Sequence, residues 1–107
     1  MYKPSYLEAA RQDIVEIANY ITNELKNPIA ASQLVKEIIN TVNKICAFPY
    51  MYPLYFPLDN LKKEYRKVSV KNYLLFYFVD EENKLVSVAR VIYARRDYNK
   101  LLAHEWD

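Results

Sequence analysis

Residues Tyr73-Leu74-Leu75-Phe76-Tyr77-Phe78-Val79 form the longest apolar run in the chain. A membrane helix needs roughly 20 such residues, so this run is far too short to be one. Strand side chains alternate between two faces, so a strand built from it is apolar on both. Such a strand belongs in the middle of a sheet that is covered on both sides. The flanking sequence supplies the neighbours. Tyr65–Val70 and Leu85–Tyr93 are also rich in β-branched and aromatic residues, and short polar breaks separate the three runs. The first break is Lys71-Asn72. In a chain with no glycine, asparagine is the residue expected to take the positive φ of a tight hairpin. The second break, Asp80–Lys84, is wholly polar and carries Asn83, which predicts a looser hairpin. The expectation is an antiparallel meander with Arg66, Val68 and Val70 on one face of the first strand and Tyr65, Lys67 and Ser69 on the other. In the last strand Val86, Val88, Arg90 and Ile92 should share one face, and Leu85, Ser87, Ala89, Val91 and Tyr93 the other.

The cover comes from upstream. Tyr2 and Lys3 fit a short strand before Pro4, and Ser5 with Glu8 matches a capping box at a helix start. Leu7, Ala10, Ile14, Ile17, Ile21 and Leu25 then recur at threes and fours, one stripe on a helix ending near Lys26. Asn27-Pro28 both stops that helix and caps the next. Ala31, Leu34, Ile38, Val42 and Ile45 make the second stripe, which Phe48-Pro49 closes. The two helices form a hairpin over about residues 5–48, and their stripes cover one face of a sheet over about 65–93. Pro49, Pro53 and Pro57 exclude regular structure from the next segment. Its aromatics Tyr50, Tyr52, Tyr55 and Phe56 suit packing over a core. Tyr98, Leu101, Leu102 and Trp106 predict a short last helix. The fold class is therefore α+β, an N-terminal helical hairpin on a small, mainly antiparallel sheet.

With 107 residues, 52% of them hydrophobic, one globular domain is expected. The N-terminus has no apolar core of a signal peptide, so a cytoplasmic location away from membranes is expected. The lone Cys46 and lone His104 make neither a disulfide nor, by themselves, a zinc site, and no metal or other cofactor is expected. A net charge of +2 says little about partners, so the placement of the cations decides.

The order of a helix, Asn27-Pro28 with Ala30-Ala31, a second helix ending at Phe48-Pro49, Tyr65-Arg66, the run Asn72–Tyr77 and a closing Arg90–Asp97 resembles toxins of the RelE/ParE superfamily. The likeness is strongest to the ParE-like plasmid-stabilisation branch and extends from Tyr6 to Asp97. It implies the growth-inhibiting toxin of a type II toxin–antitoxin module, neutralised by a cognate antitoxin, and leaves open a homodimer or a heterotetramer with that antitoxin. Two mechanisms follow from the superfamily. ParE-like members poison DNA gyrase without a hydrolytic site, and RelE-like members cleave messenger RNA in the ribosome. A third reading is a non-toxic remnant that keeps only its antitoxin groove.

RNA cleavage through its own 2′-hydroxyl needs a base, cations for the phosphorane and an acid for the leaving oxygen. For a ribonuclease, Arg96, Lys67 and Tyr93 would form that site, with Ser69 beside them. RelE-like enzymes carry more lysines on the first strand and an arginine on the middle one, where Ser69 and Leu74 stand here. Tyr93 also occupies a position where relatives commonly have histidine. These departures favour the non-hydrolytic mechanism, with Arg95, Arg96, Arg90, Arg66 and Lys71 as target or anion contacts. Each residue also has a plainer account. Arg95 and Arg96 can be a solvated strand end, and Arg90, among valines, suits an ion pair with a carboxylate such as Asp97 or Glu64. Arg66 suits a brace at the sheet edge. Lys62, Lys63, Lys67 and Lys71 can serve solubility alone, or together form a phosphate-binding patch. Tyr77 and Cys46 suit the core, and His104 is an alternative base.

Overall fold

The computed structural model describes residues 1–55 and 63–96. The readings placed on Phe56, Pro57, Lys62, Asp97, His104 and the helix over 98–106 lie outside these residues. The described chain runs β1 (Lys3–Tyr6), α1 (Glu8–Asn19), a π turn (Tyr20–Glu24), α2 (Pro28–Ala47), β2 (Arg66–Val70), β3 (Tyr73–Asp80) and β4 (Leu85–Tyr93). The sheet order is β1-β4-β3-β2. β2, β3 and β4 form the expected antiparallel meander, and β1 adds to β4 in parallel.

β1 continues through Pro4 to Tyr6, longer than the two-residue strand expected before the proline. The reason is hydrogen-bond parity on an edge strand. Lys3 and Leu7 donate their backbone N–H groups to Lys84 and Val88 of the neighbouring strand. Pro4 falls at the other parity, so its missing N–H is on the open side. Ser5 is thereby held in the strand, and the expected capping box does not form. Leu7 precedes the first helical residue with no side-chain cap.

Asn27 does cap α2, its Oδ1 accepting from the Ala30 N–H at 3.1 Å, with Pro28 at the first position. Such a cap contributes about 1 kcal/mol. Burying Leu34, Ile38 and Ile45 to 3%, 1% and 0% exposure contributes about 2 kcal/mol each, so packing rather than capping holds α2. The α1 stripe holds as far as Ile21. There the helix widens, Leu25 donating to the Tyr20 carbonyl and Asn27 to that of Ile21. The extra residue in the turn rotates Leu25 away, and it is 55% exposed rather than buried.

The positive φ values fall on lysines and not on asparagines, at Lys26 (54°), Lys71 (53°) and Lys84 (56°). In the β2–β3 hairpin the strained position is therefore Lys71, not Asn72. In the second hairpin Asn83 instead donates its backbone and side-chain N–H groups to the Asp80 carboxylate at 3.1 and 2.9 Å.

β3 is covered on both faces, as its sequence demands. Leu75 and Tyr77 join Ala10, Leu34, Ile38 and Val42 beneath the helices. Leu74 and Phe76 join Tyr65, Ala89 and Ile92 on the other face, with Leu7, Tyr55 and Phe78 packed against them. Tyr55 meets Phe76 edge-on at 5.4 Å. Of the proline-flanked aromatics, Tyr52 and Tyr55 pack on the core, while Tyr50 is 52% exposed. Tyr77 is a core residue, its phenol donating to the Pro49 carbonyl at 2.8 Å.

Strict alternation fails on β4. Phe76 pairs with Arg90 but Tyr77 pairs with Val88, so Ala89 is an extra residue in a β-bulge. Beyond the bulge the faces exchange. Val91 joins Val86 and Val88 under the helices, and Ile92, expected with them, lies on the opposite face with Ala89.

Candidate functional site

The bulge is held from α1. Asp13 accepts from Arg90 Nε at 2.6 Å, from Arg90 Nη2 at 2.8 Å and from the Val91 backbone N–H at 3.0 Å. Both side chains are 11% exposed. Arg90 therefore pairs with a helix residue and not with Glu64, because its strand faces α1. Asp13 was detectable in sequence. It sits three residues after Ala10 and next to Ile14 on the buried stripe, where a carboxylate requires a cation.

Downstream of the bulge, Tyr93 stands opposite Tyr73. Their rings meet at 5.7 Å, and Tyr73 packs against the helix-side core. The β2–β3 turn closes this end of the sheet, the Ala94 N–H donating to the Asn72 carbonyl and the Arg96 N–H to that of Tyr93, each at 3.0 Å. The result is a hollow of about 260 Å³ lined by Lys71, Asn72, Tyr93, Ala94 and Arg95. Lys71, Arg95 and Arg96 are exposed, and among the described residues Lys71 and Arg95 have no carboxylate partner.

The remaining cations lie elsewhere. Lys67 is on the face away from the helices, its ammonium 4.7 Å from the Tyr55 ring. Tyr93 is on the helix side, so Lys67 and Tyr93 do not share a face. Lys67 is also three residues along β2 from the row that joins Val70, Tyr73 and Tyr93, about 10 Å in the strand direction. Arg66 braces the β2 edge, donating to the Tyr52 carbonyl at 2.6 Å and stacking 5.0 Å from the Tyr50 ring. Leu74, where RelE-like enzymes have a cation, is buried on the far face. Burial pushes the Tyr77 phenol up to about 12, away from the range of a proton donor at neutral pH. Among the described residues no group of three or more His, Cys, Asp or Glu side chains could hold a metal ion, and no helix is long and apolar enough to cross a membrane.

The family model for the ParE toxin of the type II toxin–antitoxin system parDE matches residues 5–98. The chain belongs to the ParE toxin family. No curated protein matches the sequence. Among solved structures, the chromosomal ParDE system from P. aeruginosa superposes with a TM-score of 0.71 at 14% identity, over 89% of this chain and 98% of that one. A metal-bound toxin from Helicobacter pylori gives 0.59 at 16% identity, over 87% and 94%. The intact E. coli RelBE toxin–antitoxin complex gives 0.57 at 17%, over 90% and 100%. At these identities the likeness is one of fold, and it places the ParE-family chain in the α+β class expected from its sequence.

The opposite end of this ParE-family sheet carries a second polar cluster. The Glu81 carboxylate in the β3–β4 turn accepts from Lys84, from the Tyr2 phenol at 2.6 and 2.8 Å and from the Tyr50 phenol. It ties the N-terminus and the segment after α2 to the turn. These bonds, that from Lys84 first, pull the Glu81 carboxyl down to about 2 from 4.5, and the bond to Glu81 pushes Tyr50 up to about 12. A depressed carboxyl contributes stability that is complete above its unfolded value and lost as pH falls through the folded one. Denaturation midpoints should therefore fall between about pH 4.5 and 2, and Glu81→Gln should flatten that fall. Asp80, also lowered by its bonds from Asn83, accounts for the acid dependence left in the variant. An unchanged profile in Glu81→Gln would show that the cluster does not form in solution.

Proposed function

We propose that this chain is the growth-inhibiting toxin of a type II module, that a cognate antitoxin neutralises it, and that its target is DNA gyrase, inhibited without hydrolysis. The reading is supported most by what stands at the positions where RNA cleavage needs cations and a proton donor. Leu74 is buried, Ser69 carries no charge, Lys67 is engaged with Tyr55 on the face away from Tyr93, and the Tyr77 phenol is bonded to Pro49. Without a cation beside the phosphorane and an acid for the leaving oxygen, a ribonuclease loses its main sources of rate. Binding needs neither, and Lys71, Arg95 and Arg96 at the open end of the sheet are placed for contact with a target. The antitoxin would cover apolar side chains exposed along the helical hairpin, among them Val15, Ile29 and Phe48, as an amphipathic segment in a groove. Induced expression of the chain alone should stop growth, with plasmid DNA losing negative supercoils while messages stay intact. Fragmented messages with normal supercoiling would assign it to ribosome-dependent mRNA cleavage instead, and unimpaired growth to a binding remnant.

A further inference from the structure

The hollow at the open end of the sheet is bordered by aromatic rings as well as cations. Tyr93 is 41% exposed, and it stacks edge-on with the half-buried Tyr73. Tyr20, at the start of the π turn, is 54% exposed. It lies close enough to Tyr73 that it and Tyr93 add to the burial that pushes the Tyr73 phenol up. Wide turns of this kind recur at functional sites in helices. Three tyrosines from α1, β3 and β4 thus meet where Lys71 and Arg95 present positive charge.

Rings alone would suit any apolar or cationic ligand. The two cations beside them disfavour an arginine or lysine side chain, since like charges this close repel. They favour a ligand that is planar at one end and anionic at the other. The nucleotide unit has that form, and an exposed strand presents it repeatedly, with bases stacking on aromatic rings and phosphates following basic side chains. The hollow of about 260 Å³ suits one such unit rather than a duplex. We propose that this end of the chain binds single-stranded nucleic acid, one base resting on Tyr93 and Tyr20 and its flanking phosphates on Lys71 and Arg95. The proposal rests on the reading of Lys71 and Arg95 as target contacts and gives that contact its chemistry.

The test is fluorescence anisotropy of labelled oligo(dT) and oligo(U), about ten nucleotides long, with the purified chain at low and moderate salt. One or both should bind. Tyr93→Ala should weaken binding about ten-fold, Tyr20→Ala by a similar amount, and Tyr93→Phe hardly at all, because the ring face is what stacks. Lys71→Ala should lower the slope of log affinity against log salt by about 0.7, the share of one phosphate contact on a single strand. Tyr20 and Tyr93 are exposed enough for these variants to fold, and circular dichroism checks that they do. Absence of binding by either oligomer at low salt overturns the proposal, as does binding that Tyr93→Ala leaves unchanged. Growth assays on Lys71→Glu with Arg95→Glu separate the two readings. If this variant no longer inhibits growth while the parent binds no oligomer, only the nucleic-acid inference fails. If it still inhibits growth, the target-contact reading fails, whatever the oligomers do.

Discussion

Asp13→Ala should destabilise the fold by about 4 kcal/mol, a large part of what a domain of this size possesses. The carboxylate has three donors in the folded chain, two from the Arg90 guanidinium and one from the Val91 backbone. Its removal leaves a buried guanidinium and a bulge N–H without their acceptor, and the cost is the desolvation of those groups rather than the worth of the pair. Replacing both members by apolar residues, Asp13→Leu with Arg90→Met, should therefore cost much less than either single change. Arg90→Lys should not rescue, because an ammonium cannot supply two parallel N–H groups to one carboxylate. Urea denaturation of the four chains gives the comparison directly. A loss below about 1 kcal/mol for Asp13→Ala would mean that the pair is an ordinary surface ion pair.

Phe76→Ala should cost a similar amount, about 4 kcal/mol. Phe76 is fully buried, on the sheet face that the helices do not touch. If that face were open to water, the substitution would cost little. Its cover is Tyr55, which meets Phe76 edge-on at 5.4 Å, together with Tyr65, Leu74, Ala89 and Ile92. Ile38→Ala, in the core beneath the helices, is the control. Comparable losses in denaturant midpoint for the two variants indicate two cores of equal standing, and a loss confined to Ile38→Ala would contradict a sheet covered on both sides.

What could be read from the sequence was whatever obeys a period. The α2 stripe, the Asn27 cap, Pro28 and the double-sided burial of β3 follow from side-chain spacing that tertiary contacts reinforce. The departures arise where one residue is added to a regular ladder. The π turn at Tyr20–Glu24 contains no proline or glycine to signal it, and it exposes Leu25. The bulge at Ala89 lies in a run of small and β-branched residues that fits either register. It exchanges the faces of Val91, Ile92 and Tyr93, and it sets Tyr93 on the side away from Lys67. Lysines, not asparagines, occupy the left-handed positions, because the hairpin register decides which residue must turn. At the site, the basic strand end was legible in Lys71, Arg95 and Arg96. Tyr20 was not, since nothing in its local sequence distinguishes it from other exposed helix residues.

The most direct measurement is a supercoiling titration with purified gyrase, relaxed plasmid and increasing amounts of the chain, run beside a cell-free translation reaction that reports message length. Inhibition of supercoiling with messages left whole is the predicted result, relieved by prior mixing with the antitoxin and weakened about ten-fold or more by Lys71→Glu with Arg95→Glu. Full supercoiling in the presence of excess chain, with messages cut short in the companion reaction, would contradict it.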